Sequence, residues 1–293
     1  MVKQKKVIGY LGPIGTFTEL AVDKVFKKDE VKVVPFNTLP ECLFSANKRN
    51  TDFTVVPIEN SIGGSVNLTI DWLIHKINVP IQGEVRISID QDLLVHKHNY
   101  HLEKRDFKII YSHPQAISQC SNFLRKNYPK AELSYTESTA EAASIISKNS
   151  DQPWLAIANC NARNIYSLDL YEKEIQDYPT NTTRFVILGN EKLTIKSKST
   201  KSSILLTLKE GLMLHQILEK YSLNGLELTK IESAPMKTEM GKYFYFLDYN
   251  TSGPNQRTLF DKCCKEIERL GCPIRRLGTY PCFKHQERKK ILS

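Results

Sequence analysis

In the stretch DYPTNTTRFVILG, Asp177 to Gly189, the residue types change abruptly. Phe185 to Leu188 read as a buried strand, yet the strand is entered through Asn181, Thr182, Thr183 and Arg184, an amide, two hydroxyls and a guanidinium. Polar groups recur at other element tips. Thr16 and Glu19 have the spacing of a helix capping box, as do Ser112 with Gln115 and Ser138 with Glu141, and Gly63-Gly64-Ser65 leads into a further helix just after Glu59 and Asn60. Each tip is a helix N-terminus at the C-terminal end of a strand. There, free N–H groups and the positive end of the helix dipole favour carboxylates and phosphates. Capping boxes by themselves only stop helices fraying. Four such tips in one region point to an anion-binding cleft.

Other constellations carry less. His96, His98 and His101 in VHKHNYH have no acidic partner and no His-Glu-x-x-His spacing, so they read as a surface loop rather than a metal site. Nothing in the sequence brings Cys160 to His113 as a nucleophile pair, and Cys160 reads as a buried packing residue. No Walker lysine follows GPIGTF, and the glycine spacing of a dinucleotide fold is missing.

Four strand–turn–helix units must position these tips. Val7 to Leu11 precedes helically spaced Phe17, Leu20, Ala21 and Val25, and Phe53 to Ile58 precedes Val66, Ile70 and Leu73. Phe107 to Tyr111 precedes Ile117, Cys120 and Leu124, and LSYTESTAEAASII repeats the pattern. This order predicts an α/β domain with largely parallel sheets. A lysine- and serine-rich break, GNEKLTIKSKSTKSS, follows Leu188. Beyond it come a strand at Ile204 to Leu208, a helix through Leu214, Ile217, Leu218 and Tyr221, and strands at Leu226 to Ile231 and Tyr243 to Tyr249. A helix at Gln256 to Leu270 and a strand at Arg275 to Tyr280 complete a ferredoxin-like βαββαβ order.

The chain of 293 residues, 41% hydrophobic, has room for two domains with real cores. No apolar run reaches the length of a membrane span, and the basic start has no secretory h-region, which predicts a cytoplasmic protein. The seven cysteines are odd in number and form no Cys-x-x-Cys pair, so they read as reduced thiols, mostly in the core. The net charge of +9 comes from scattered lysines and arginines, not from a stripe that would bind nucleic acid. It can steer a small dianion toward a cleft. The basic C-terminal cluster KHQERKKILS reads as a frayed tail.

GPIGTFTE, VVPIENSIGGSV, YSHPQAISQC, STAEAA and NTTRF, in this order, resemble the motifs of prephenate dehydratases, and ESAP follows in what resembles an ACT regulatory domain. The resemblance runs over nearly the whole chain and implies the monofunctional form, without a fused chorismate mutase. It implies a two-lobed catalytic domain over residues 1–190, built like type II solute-binding proteins, with the active site between the lobes. Lobe one spans about 1–81 and 166–190, lobe two about 82–165, and the ACT domain 202–282. The implied reaction is loss of CO2 and water from prephenate to give phenylpyruvate, with no metal, redox cofactor or covalent intermediate.

By the same resemblance Thr183 matches the family's catalytic threonine. A hydroxyl so weakly acidic serves as a positioned donor to the leaving oxygen rather than as a full general acid. Arg184 is expected to clamp a substrate carboxylate in two-pronged fashion, and Phe185 and Phe17 to supply apolar walls. Thr16, Glu59, Asn60, Ser61, Gly64, Ser112, Gln115 and Asn181 carry over as substrate contacts or site organisers. Effector binding, of L-phenylalanine between the subunits of a homodimer or homotetramer, is implied for Gly211, Leu212 and Leu214 and for Glu227, Leu228, Glu232 and Ser233. Thr18 stands where the family has serine, Glu227 where it has asparagine, and Ala234 where it has arginine. The last two bear on effector binding. Two rival readings share this cleft logic: an arogenate dehydratase, and a non-catalytic two-lobed ligand-binding module.

Overall fold

The computed structural model describes residues 5–195 and 197–283, so the basic cluster KHQERKKILS lies outside the described residues. The first lobe opens with β1 (Lys6–Leu11), α1 (Phe17–Val25), β2 (Val31–Phe36) and α2 (Leu39–Asn47), and continues through β3 (Phe53–Asn60), β4 (Gly64–Ser65), α3 (Asn67–His75) and β5 (Ile81–Ser88). The second lobe holds β6 (Asp92–Val95), β7 (Ile109–Ser112), α4 (Pro114–Gln119), α5 (Ser121–Asn127), β8 (Glu132–Tyr135), α6 (Thr139–Lys148), β9 (Trp154–Ala158), α7 (Cys160–Ile165) and β10 (Asp169–Glu172). The chain then returns as β11 (Thr182–Leu188). The C-terminal unit is β12 (Thr200–Thr207), α8 (Leu214–Leu223), β13 (Glu227–Pro235), β14 (Tyr243–Asn250), α9 (Gln256–Arg269) and β15 (Ile274–Phe283).

Sheet membership moves the lobe boundaries expected at residues 81 and 166. β5 pairs with β11 over its whole length, so it belongs to the first lobe, and β10 pairs with β6, so it belongs to the second. The crossings therefore lie just after Ser88 and just before Thr182. The sheets are also less parallel than the sequence pattern predicts. β1 is parallel to β2 and β3, and β7 to β8 and β9, but β11, β5, β6 and β10 all run antiparallel to their neighbours within the lobes.

The local reasons are readable. Phe185 to Leu188 is buried on both faces, which is why β11 is continuously apolar. On α9, Phe260, Cys263, Cys264 and Ile267 form the buried stripe of an amphipathic helix. The seven cysteines are free thiols; six are buried, but Cys160, expected in the core, is exposed at the first residue of α7.

One sheet runs through lobe one and the C-terminal unit, in the order β13-β14-β12-β15-β5-β11-β3-β1-β2. The junction is β15, antiparallel to β12 along most of its length and parallel to β5 at Cys282 and Phe283. Gly278 makes the crossing possible. It sits at φ 151, and a Cβ there would lie 2.3 Å from the Ile81 carbonyl oxygen. The core is continuous too: Leu205, Phe246, Leu277 and Tyr280 pack with Leu43, Ile70 and Leu73 of lobe one.

Candidate active site

A cavity of about 830 Å³ opens between the lobes, walled on one side by residues of β1, β3, β4 and β11 and on the other by α4, α6 and the loops before them. Three helix N-termini reach it. Thr16 caps α1, accepting from Glu19 N, while the Glu19 carboxylate takes Gly15 N at 2.6 Å. Ser138 caps α6 at 3.0 Å from Glu141 N. The third cap differs from the Ser112–Gln115 box expected from sequence: His113 is the N-cap of α4, its Nδ1 accepting from Gln115 N at 3.2 Å. The imidazole therefore carries its proton on Nε2, and burial lowers its pKa, so it is a neutral donor at pH 7. Gly63-Gly64-Ser65 does not cap α3; Gly64 and Ser65 form β4, paired with Asn60 and Glu59.

Thr183 sits at the cavity wall opposite Asn60 in the β11–β3 ladder. The Asn60 amide is fixed from behind, because its Oδ1 accepts from Ile62 N at 3.0 Å and Gly63 N at 2.8 Å. Its Nδ2 consequently points the other way, donating to Thr183 Oγ1 at 2.9 Å and Asn181 Oδ1 at 2.8 Å. Asn181 in turn donates to Gln119 of lobe two at 3.1 Å. Thr183 thus accepts a hydrogen bond from the protein, and among the described residues none takes its own proton. That O–H is available to a ligand.

Thr16, Asn60, Gly64, Gln115, Thr183 and Phe185 line the cavity. Gly64 has φ 75, with open space where a Cβ would stand. Others of the expected site residues lie elsewhere. Ser112 is fully buried, and its hydroxyl ties β7 to the Ile157 carbonyl at 2.7 Å. Ser61 brackets the start of β11, its Oγ accepting from Thr182 N at 2.9 Å. Asn181 is buried behind Asn60. Gln119, which the sequence reading passed over, lines the cavity four residues after Gln115, the spacing that shares a helix face.

Arg184 corrects the expectation of a carboxylate clamp. It is 4% exposed and absent from the cavity wall, because consecutive strand residues point to opposite faces. Its Nε donates to Glu84 at 2.6 Å, its Nη1 to Glu59 at 3.2 Å and its Nη2 to the Tyr280 hydroxyl at 3.3 Å; Nη2 also lies 2.5 Å from Asp248 Oδ2. Glu59 likewise faces away from the cavity, with Lys230 of β13 at 3.0 Å. Lys201, at 3.0 Å from Glu84, and Arg86, whose Nε donates to Glu84 at 3.0 Å, complete the cluster. Among the described residues no Lys or Arg lines the cavity.

Burial alone raises the carboxyls of Glu84 and Glu59, but Arg184 and Lys201 at the first, and Lys230 and Arg184 at the second, outweigh it. Both end below the ordinary value of 4.5. The stability these pairs confer is therefore complete above that value and is lost as pH falls through the lower folded-state values. The melting temperature is expected to hold down to about pH 5 and then drop. In Glu84→Gln it starts lower at neutral pH and falls less steeply in acid. An acid slope identical to wild type would show that Glu84 is not among the groups responsible.

At the C-terminal unit, Gly211 lies in the turn before α8 at φ 85, followed by Leu212, with Leu214 the first residue of that helix. Glu227 opens β13, its carboxylate held by Asn250 Nδ2 at 2.9 Å, and Leu228 is partly exposed beside it. Glu232 accepts a short hydrogen bond from Ser65, itself a cavity residue, and Ser233 follows it on the strand. No helix among the described residues is long and apolar enough to cross a membrane, and no group of three His, Cys, Asp or Glu among them could hold a metal ion.

Fold and site together define a two-lobed α/β protein whose cavity between the lobes is lined by hydroxyls, amides and helix N-termini and, among the described residues, by no lysine or arginine. The family model described as "Prephenate dehydratase" matches residues 8–193. A prephenate dehydratase from Bacillus subtilis (strain 168) is 40% identical over 286 residues, covering 94% of this chain and 99% of that protein. Among solved structures, prephenate dehydratase from Arthrobacter aurescens in complex with L-Phe matches with a TM-score of 0.81 at 27% identity, over 94% of this chain and 90% of that one. The enzyme from Staphylococcus aureus subsp. aureus Mu50 matches with a TM-score of 0.78 at 29% identity, over 93% and 99%. The chain belongs to the prephenate dehydratase family of hydro-lyases.

Proposed function

We propose that this chain converts prephenate to phenylpyruvate in the cavity between its lobes, with Thr183 donating to the leaving hydroxyl. The observation that carries this is the Asn60 amide at 2.9 Å from Thr183 Oγ1, which leaves the threonine proton for the ligand. As the ring carboxylate departs as CO2, its bonding electrons enter the ring and expel the ring hydroxyl. One proton taken up makes that group water, so prephenate dianion plus H⁺ gives phenylpyruvate, CO2 and H2O. A cavity wall with no lysine or arginine among the described residues suits this step. A carboxylate about to lose its charge is held back by a cation, and the apolar Phe17, Val66 and Phe185 leave it less stabilised than the spreading charge of the transition state. The helix N-termini of α1 and α6 and the neutral His113 are the donors for the other carboxylate.

The C-terminal unit reads as an ACT domain for L-phenylalanine, supported by the Arthrobacter aurescens relative solved with L-Phe. Gly211, Leu212, Leu214, Glu227, Leu228 and Ser233 are the proposed effector residues. Glu232 is a weaker candidate because Ser65 engages it. β13 is an edge strand with Leu228 and Ile231 exposed, which favours assembly into a dimer or tetramer.

Purified protein given prephenate, and separately arogenate, after exhaustive chelation is expected to form phenylpyruvate from the first at an undiminished rate. Turnover of arogenate alone would replace the substrate assignment, and turnover restored only by a divalent metal would reject the cofactor-free mechanism.

A further inference from the structure

We infer that the C-terminal unit holds the reacting threonine in place through two ion pairs across the domain junction, Asp248 with Arg184 and Lys230 with Glu59. This deepens the function proposed above and rests on it. In the β11–β3 ladder Thr183 stands opposite Asn60, and the next rung pairs Arg184 with Glu59. The first rung faces the cavity and supplies the donor hydroxyl with its orienting amide. The second faces the other way and is gripped from the C-terminal unit: Asp248 of β14 lies 2.5 Å from Arg184, and Lys230 of β13 lies 3.0 Å from Glu59. Arg184 also bonds Glu59 directly at 3.2 Å, so the two grips are linked.

A third contact reaches the cavity wall itself. Lys230 Nζ donates to Ser65 Oγ at 2.6 Å, and Ser65 is paired with Glu59 in the β4–β3 ladder. All of these charges are fixed by several partners. Arg184 and Lys230 are each about 5% exposed in their side chains, and Glu84 and Asp248 are fully buried. Removing Asp248 or Arg184 leaves a buried charge short of a partner, which disfavours other arrangements of the cluster. Each catalytic-side residue is the immediate neighbour of a gripped residue on a rigid strand. A shift of β13 or β14 by about an ångström is therefore passed to Thr183 and Asn60, and a misplacement of that size costs about 100-fold in rate. Since β13 is the strand proposed to bind L-phenylalanine, the same clasp carries effector binding to the cavity without any contact between effector and substrate.

The test uses Asp248→Asn and Lys230→Gln in the full chain, assayed well below each variant's melting temperature. Neither residue lines the cavity. Expected is a kcat on prephenate lower by about 10- to 100-fold with KM within about threefold of wild type. Expected with it is an L-phenylalanine Kd, measured by calorimetry, within about threefold of wild type, while inhibition at saturating L-phenylalanine is lost. Lys230→Gln, at the rim of the cluster, decides the matter if Asp248→Asn does not fold. A folded variant with wild-type kcat and wild-type inhibition overturns the inference, and so does a lowered melting temperature alone, which marks a merely structural role. If wild type ignores L-phenylalanine, the comparison of kcat with KM decides. A wild-type chain inert toward prephenate overturns the functional reading, and this inference with it. An active wild type with unaltered variants overturns the inference alone.

Discussion

Thr183→Ala is expected to lower kcat for prephenate by about 100- to 1000-fold, the range for losing one oriented transition-state donor. Thr183→Ser is expected to keep most of the activity. The geometry sets both expectations. Asn60 occupies an acceptor position of the Thr183 oxygen at 2.9 Å and is itself locked by two backbone N–H groups, so the hydroxyl proton is turned away from Asn60 and left for the substrate. Serine retains that oxygen, whereas alanine leaves Asn60 Nδ2 with Asn181 alone as its strong partner. Thr183 is only half-buried, so neither change costs much stability. Steady-state kinetics with prephenate, alongside thermal melts, check this. A kcat for the alanine variant within about threefold of wild type, with the fold intact, would remove Thr183 from the reaction.

The sequence carries much of this site, and what it hides follows a physical rule. Thr183, Asn60, Gln115, Gly64 and Thr16 are legible because polar groups at the C-terminal ends of strands and at helix starts stand out against apolar runs. Arg184 and Glu59 stand out equally as residue types, yet both face the other way. The alternation of side chains along β11 and β3 already separates Thr183 from Arg184 and Asn60 from Glu59, since neighbours on a strand cannot share a face. What alternation cannot say is which face meets the cavity and which meets the C-terminal unit. That depends on β15 pairing with β5, a long-range contact with no local signature beyond Gly278.

The same distinction applies to the elements. The helix expected at Gln256 to Leu270 is found at Gln256–Arg269, because its apolar stripe is strictly periodic. β2 and α2 went unread, although Thr38 and Glu41 form a complete capping box. β2 is an edge strand, with Lys32 and Pro35 exposed and none of its residues fully buried, so it presents no buried run to notice. The spacing of Ser112 to Gln115 predicts Ser112 as the cap of α4; the chain turns one residue later, so His113 takes the cap and Ser112 is buried against Ile157.

Arg184→Lys and Arg184→Met separate a substrate clamp from a buried clasp. If the guanidinium held a carboxylate of prephenate, either change would raise KM and leave the fold untouched. The structure gives Arg184 three carboxylates, on Glu84, Glu59 and Asp248, met by three different nitrogens of one rigid fork. A lysine ammonium is a single point charge on a flexible stem and cannot reach all three. Methionine leaves the carboxylates of Glu84, Glu59 and Asp248 with Lys201, Arg86 and Lys230 as the remaining cations. Breaking a buried pair in this way costs about 3–5 kcal/mol, so the melting temperature of Arg184→Met is expected to fall by on the order of 10 °C, with Arg184→Lys between it and wild type. Because the strand carrying Thr183 loosens with it, kcat falls in both variants, while KM for prephenate stays within about threefold of wild type in whatever fraction remains folded. Thermal melts and steady-state kinetics on the same samples distinguish the two accounts. A raised KM with an unchanged melting temperature would return Arg184 to the substrate.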